Sequence, residues 1–156
     1  MKETPSQTAG PFLHIGLMPD GIGIAPLAAP SPAEPVTLHG TLHDADGAPV
    51  SDALVEMWQV GGPWARCPTD AQGGWRLLAA RPGAIPFVAL WIIARGINTG
   101  LHTRLYFPDI DHAGDAAMAR VPQDRRGTLV ALDEGDGAYR LDIRLGGEDE
   151  TVFFDV

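Results

Sequence analysis

The sequence predicts an all-β fold: a two-sheet β-sandwich preceded by an extended N-terminal arm. Three observations carry that prediction. Several short stretches alternate apolar and polar side chains with period two, the mark of a half-buried strand. Gly 19 and Pro 14 among 156 residues supply turns between short elements. Only residues 111–120, with His112, Ala113, Ala116, Ala117 and Met118, read as a short helix. Many brief strands with almost no helix make a sandwich.

The elements follow in order. Residues 1–35 lack clean periodicity, and Gly21, Gly23, Pro26, Pro30, Pro32 and Pro35 would break any helix or central strand. They read as an extended arm lying on something else, with a short extended segment at 12–17; a frayed tail is the alternative. Residues 36–156 form the sandwich domain. Its first strand, 36–43, sets Val36, Leu38, Gly40 and Leu42 against Thr37, His39, Thr41 and His43. Asp44 to Gly47 is a turn. Further strands are predicted at 54–59, 75–80, 87–94, 101–107, 128–132, 139–145 and 151–154. The run from Phe87 to Ala94 is wholly apolar and predicts burial on both faces. The run from Tyr139 to Leu145 alternates and predicts a half-exposed strand.

Composition narrows the function. Eleven Lys+Arg against twenty Asp+Glu give a net charge of −9, and no basic cluster offsets it, which disfavours nucleic acid. No apolar run approaches the ~20 residues needed to cross a bilayer, so no membrane partner is expected. The first residues lack the apolar centre of a signal peptide, and the single cysteine, Cys67, suits a reducing compartment. A cytoplasmic location is the expectation.

Chemistry within the chain is sparse. His39 and His43 share a strand face but sit roughly 13 Å apart at the strand rise, too far for one ion. No Cys pair, His-Glu-x-x-His run or calcium loop occurs. There is no Gly-x-Ser-x-Gly, and Cys67, between Arg66 and Pro68, reads as an incidental loop thiol that the arginine would tend to activate. Arg95 differs. It ends an apolar strand, where a guanidinium requires an anion or acceptors. A substrate carboxylate or interface contact and an internal salt bridge stand level on the residues alone.

The segment Glu3-Thr4-Pro5-Ser6-Gln7-Thr8-Ala9-Gly10-Pro11-Phe12, followed by His14-Ile15-Gly16-Leu17, resembles the N-terminal signature of α chains in the protocatechuate 3,4-dioxygenase family. Ile93-Ala94-Arg95-Gly96-Ile97-Asn98 with Leu101-His102-Thr103-Arg104-Leu105-Tyr106-Phe107 is similar to that family's central segment. Val55-Glu56-Met57-Trp58-Gln59 and the ending from Tyr139 to Asp155 are similar too, all in the right order. The resemblance implies a transthyretin-like intradiol dioxygenase core. It implies an oxidoreductase subunit: protocatechuate binds iron through both hydroxyls, O₂ attacks the ring, and 3-carboxy-cis,cis-muconate results. The family's β chain holds Fe(III) through two Tyr and two His, which suits that ion.

The resemblance places the ligand-equivalent positions of this chain at Phe87 and Ala89, for a His-x-His pair, and at Trp75, for one tyrosine. The region of the other tyrosine, 59–69, is a shortened Gly/Pro loop. This chain is therefore expected to bind no metal, to have no catalytic residue of its own, and to depend on an iron-binding β subunit. By the resemblance, Thr8, Gly10, Pro11 and Arg95 line the partner's substrate pocket, with Arg95 drawing the protocatechuate carboxylate. The chain looks trimmed at 17–36, 59–69 and 83–86. Two other readings are open: a non-catalytic β-sandwich binding module derived from the family, and a self-sufficient metalloenzyme using His14, His102 or His112.

Overall fold

A computed structural model describes residues 7–10, 12–18, 35–62, 64–81 and 83–155. After a short helix α1 (Leu13–Leu17), the strands are β1 (Pro35–His43), β2 (Leu54–Trp58), β3 (Trp64–Pro68), β4 (Gly74–Ala80), β5 (Phe87–Ile93) and β6 (Leu101–Tyr106). Helix α2 (Ala116–Arg120) and a 3₁₀ turn (Gln123–Thr128) precede β7 (Leu132–Gly135), β8 (Ala138–Arg140) and β9 (Ile143–Arg144). One sheet runs β4-β1-β8-β7, with β9 continuing beside β1; the other runs β3-β2-β5-β6. This is the predicted sandwich.

Period-two alternation builds the core. Leu38, Leu42, Leu77, Ala79, Tyr139 and Ile143 point inward from the first sheet and meet Val55, Met57, Val88, Leu90, Ile92 and Leu105 from the second. A fully buried Leu, Ile or Val of this kind stabilises the fold by about 1.5–3 kcal/mol. Phe107 meets Tyr139 edge to face, ring centroids 4.8 Å apart.

Several expectations are corrected. The apolar strand β5 is buried on its inward face only: Phe87, Ala89, Trp91 and Ile93 on the outer face are half-buried. Long side chains of β6 lie on that face, Arg104 over the Phe87 ring at 3.9 Å and His102 stacked on Trp91 at 5.7 Å, and Phe87 also packs on the cluster of Tyr106, Met118, Val121 and Leu129. Within the segment 12–17, Leu13–Leu17 are helical rather than extended, their backbone groups bonding locally, Leu13 N–H to Gly10 C=O and Ile15 N–H to Phe12 C=O. Residues 64–68 are a strand rather than a loop, so Cys67 is no loop thiol. It lies in the core, where burial, opposed by a hydrogen bond from the Arg76 N–H, pushes its thiol up to about 12. The predicted strand 128–132 is broken up, Thr128 ending the 3₁₀ turn, Val130 bridging Tyr106 and Leu132 opening β7, and 151–154 keeps only a bridge from Phe154 to His102. The helix is confined to residues 116–120, since Asp115 caps its start by accepting from the Ala117 and Met118 N–H groups.

Residues 138–145 keep the predicted alternation but divide into β8 and β9. Gly40 on β1 lets this segment approach closely: a Cβ there would sit 1.9 Å from the Leu141 carbonyl oxygen. Asp142 then turns its carboxylate into the ladder and accepts from the Thr41 N–H at 2.9 Å and the Thr41 hydroxyl at 2.8 Å. A side chain replaces one backbone rung. At the far corner Gln59 ties the sheets together, donating to Ala80 C=O at 2.8 Å and accepting from Ala80 N–H at 3.0 Å.

Candidate functional site

The arm reaches the end of β5. Ala94 to Ile97 form a turn in which Gly96 takes a φ of +90°, a backbone conformation that suits glycine. The Gly96 N–H donates to the Thr8 hydroxyl at 2.9 Å. Thr8 thus stands beside Arg95 although 88 residues separate Thr8 from Gly96. Gly10 lies two residues further along the arm, exposed, with open space where a Cβ would point. Pro11 lies outside the described residues.

Arg95 ion-pairs with Asp52, from the turn before β2, yet 59% of its side chain remains exposed while Asp52 is 22% exposed. The internal salt bridge weighed from sequence is present. It occupies one side of the guanidinium and leaves the rest facing solvent. Asp52 and Gly96 had no signal in the sequence beyond a turn-forming context.

The arm touches the sandwich a second time. Arg66 on β3 donates to the Leu17 carbonyl at 3.2 Å. The same guanidinium pairs with Glu56 at 2.5 Å and stacks over the Trp64 ring at 4.5 Å. Glu56 is buried although it belongs to the outer face of the sheet. Sequence reasoning named Arg66 only as a neighbour of Cys67. The outer face beside it carries a shallow cavity of about 230 Å³ walled by Trp58, Trp64, Trp91 and His102.

The ligand-equivalent positions cannot form a metal site. Phe87 and Ala89 offer hydrocarbon, and the cation Arg104 covers Phe87. Trp75 does not share their location. It is buried in the main core, whereas Phe87 packs on the smaller cluster around Tyr106 and Leu129. Of the candidate histidines, His102 stacks on Trp91, and His112 packs against Tyr106 with Nδ1 near the Ile110 carbonyl; the His14 side chain lies outside the described residues. Among the described residues no group of three or more His, Cys, Asp or Glu side chains converges. The side chains at Phe87, Ala89 and Trp75 supply none of the donors a ferric ion takes.

Comparison with known proteins gives a consistent picture. The chain is 37% identical to the protocatechuate 3,4-dioxygenase alpha chain of Pseudomonas putida, over 99% of this chain and 97% of that one. It is also 37% identical to the alpha chain from Burkholderia cepacia, covering 100% and 98%. The beta chain of Burkholderia cepacia is 27% identical over 76% of this chain and 67% of its own. The Pseudomonas alignment spans 196 positions against 156 residues here, so that relative carries insertions. No protein-family model matches. Among solved structures, the dioxygenase domain of a carbohydrate-binding fusion from Streptomyces sp. SirexAA-E superposes with a TM-score of 0.55 at 21% identity, covering 78% of this chain and 85% of that one. Catechol 1,2-dioxygenase from Pseudomonas arvilla C-1 gives 0.52 at 22%, covering 76% and 54%. At such identities the two structures establish the fold.

Proposed function

The chain belongs to the protocatechuate 3,4-dioxygenase alpha-chain family, and on that premise we propose that it forms part of the substrate pocket of an intradiol enzyme whose ferric ion sits on a companion β chain. Phe87, Ala89 and Trp75 at the ligand-equivalent positions are unsuited to the metal, so on this reading the chain's contribution is shape and charge. Thr8, Gly10, Pro11 and Arg95 form the wall. The Arg95 guanidinium, steadied by Asp52 and largely exposed, attracts the carboxylate of protocatechuate, and the arm closes beside it. Cleavage to 3-carboxy-cis,cis-muconate then takes place at the partner's iron.

One observation above all supports this reading: the hydrogen bond from Gly96 to Thr8 brings the arm next to the one cation at the end of β5. Near end-to-end similarity to two alpha chains favours it over a stand-alone binding module.

Co-expression with an iron-binding β chain should give a coloured complex that cleaves protocatechuate, while this chain alone should not. Within that complex, Arg95→Ala should raise KM for protocatechuate by one to two orders of magnitude, since a charge-assisted contact is worth about 1.5–3 kcal/mol. Catechol, which lacks the carboxylate, should be affected far less. An equal rise for both substrates would assign Arg95 a structural role through Asp52.

A further inference from the structure

We propose that Arg66 is a positioning residue: it fastens the end of α1 so that Thr8 and Gly10 stay beside Arg95. The inference rests on the subunit reading above and names the device that sets the pocket wall.

The described part of the arm, residues 7–10 and 12–18, lies largely on the surface. Its residues Gln7, Thr8, Gly10, Phe12, Ile15 and Gly16 are exposed, and α1 has five residues, far fewer than a helix needs to persist unaided. Among the described residues two side-chain hydrogen bonds tie it to the sandwich: Thr8 at the Gly96 N–H and Leu17 at Arg66. The first is a single exposed hydrogen bond, which alone is worth only about 1 kcal/mol. The second is made by a group that is already rigid. Glu56 grips one nitrogen of Arg66, Trp64 supports the plane of the guanidinium, and the other terminal nitrogen points at the Leu17 carbonyl. The entropy of ordering that long side chain is therefore spent within the sheet, before the arm arrives. The carbonyl it meets ends a helical turn, where a cation is electrostatically favoured. The geometry requires the planar fork: an ammonium in its place would lose the stacking and one of the two directed contacts.

The experiment uses the full chain, alone and in complex with an iron-bearing β chain. Arg66→Ala would strand the buried Glu56 carboxylate, so the informative variant is Arg66→Met combined with Glu56→Gln, which keeps the packing and removes both charges. In the chain alone, amide exchange at Gly96 should accelerate by about tenfold or more as Thr8 departs, while the Leu90 amide in the core keeps its rate. Arg66→Lys should fall between the two. In the complex, KM for protocatechuate should rise by about fivefold with kcat within about twofold, and catechol should respond less. Unchanged exchange at Gly96 would overturn the anchor, and faster exchange with unchanged protocatechuate KM would overturn its role in positioning. A wild-type complex that cleaves no ring would instead overturn the subunit reading, while Gly96 exchange would still decide whether Arg66 holds the arm.

Discussion

Asp115 shows how much one side chain can organise. Its carboxylate accepts from Arg104 at 3.0 Å, from the Tyr106 hydroxyl at 2.9 Å and from two N–H groups that open α2. Burial alone would raise its pKa. The Met118 N–H, the Tyr106 hydroxyl and the Arg104 charge outweigh burial and hold it below the ordinary carboxylate value. Burial pushes Tyr106 up to about 12, so its hydroxyl stays a donor throughout the neutral range. A depressed carboxylate stabilises the fold fully above its unfolded pKa of about 3.9, and that contribution is lost as pH falls through the lowered native value. Asp115→Asn should cost about 2–3 kcal/mol at pH 7, read from the urea midpoint. The gap from wild type should narrow as pH falls below the unfolded value of about 3.9 and through the lowered native one. A gap independent of pH would mean that the charge contributes nothing.

Elements obey a different logic, because a strand depends on what lies opposite it. The close approach at Gly40 predicts that Gly40→Ala will force β1 and the 140–143 segment apart. Chemical denaturation should then record a loss of about 3 kcal/mol or more. Gln59→Leu should leave Ala80 without partners for its N–H and C=O at the corner it spans, costing about 2 kcal/mol in the same measurement. Residues 36–43 and 139–145 could be read from sequence because their alternation is local and needs no knowledge of the partner. The interruption at Asp142 could not, since it depends on Thr41, 101 residues away. Strand β3 was hidden because its inward positions are the small Ala65 and Cys67, while its outward ones are Trp64, Arg66 and Pro68. The same holds for the site. Arg95 announced itself as a cation ending an apolar strand, but Asp52, Gly96 and the Leu17–Arg66 contact arise only from tertiary packing.

At the scale of the whole molecule, the thiol of Cys67 reports on the entire core. It is 3% exposed and its ionisation is suppressed by burial, so alkylation in native buffer should be slower than in denaturant by orders of magnitude. Labelling should track global unfolding; rapid modification of the native chain would place Cys67 in a locally opening region instead.

The strut at Gln59 has a consequence for how this chain can meet another. Along β4, the outward backbone groups of Ala80 are taken by Gln59, those of Gly74 by Asp70, and the Arg76 N–H by Cys67. Strand β6 spends its outer groups on Phe154, Leu129 and Ala131, and β7 is four residues long, with Asp133, Glu134 and an irregular register. Three of the four sheet margins are thus unfit for annealing to a foreign strand. At those three margins a companion chain would meet side chains rather than free backbone groups, so recognition there would be written in residues that mutation can edit one at a time, and β3 is the margin left for strand pairing.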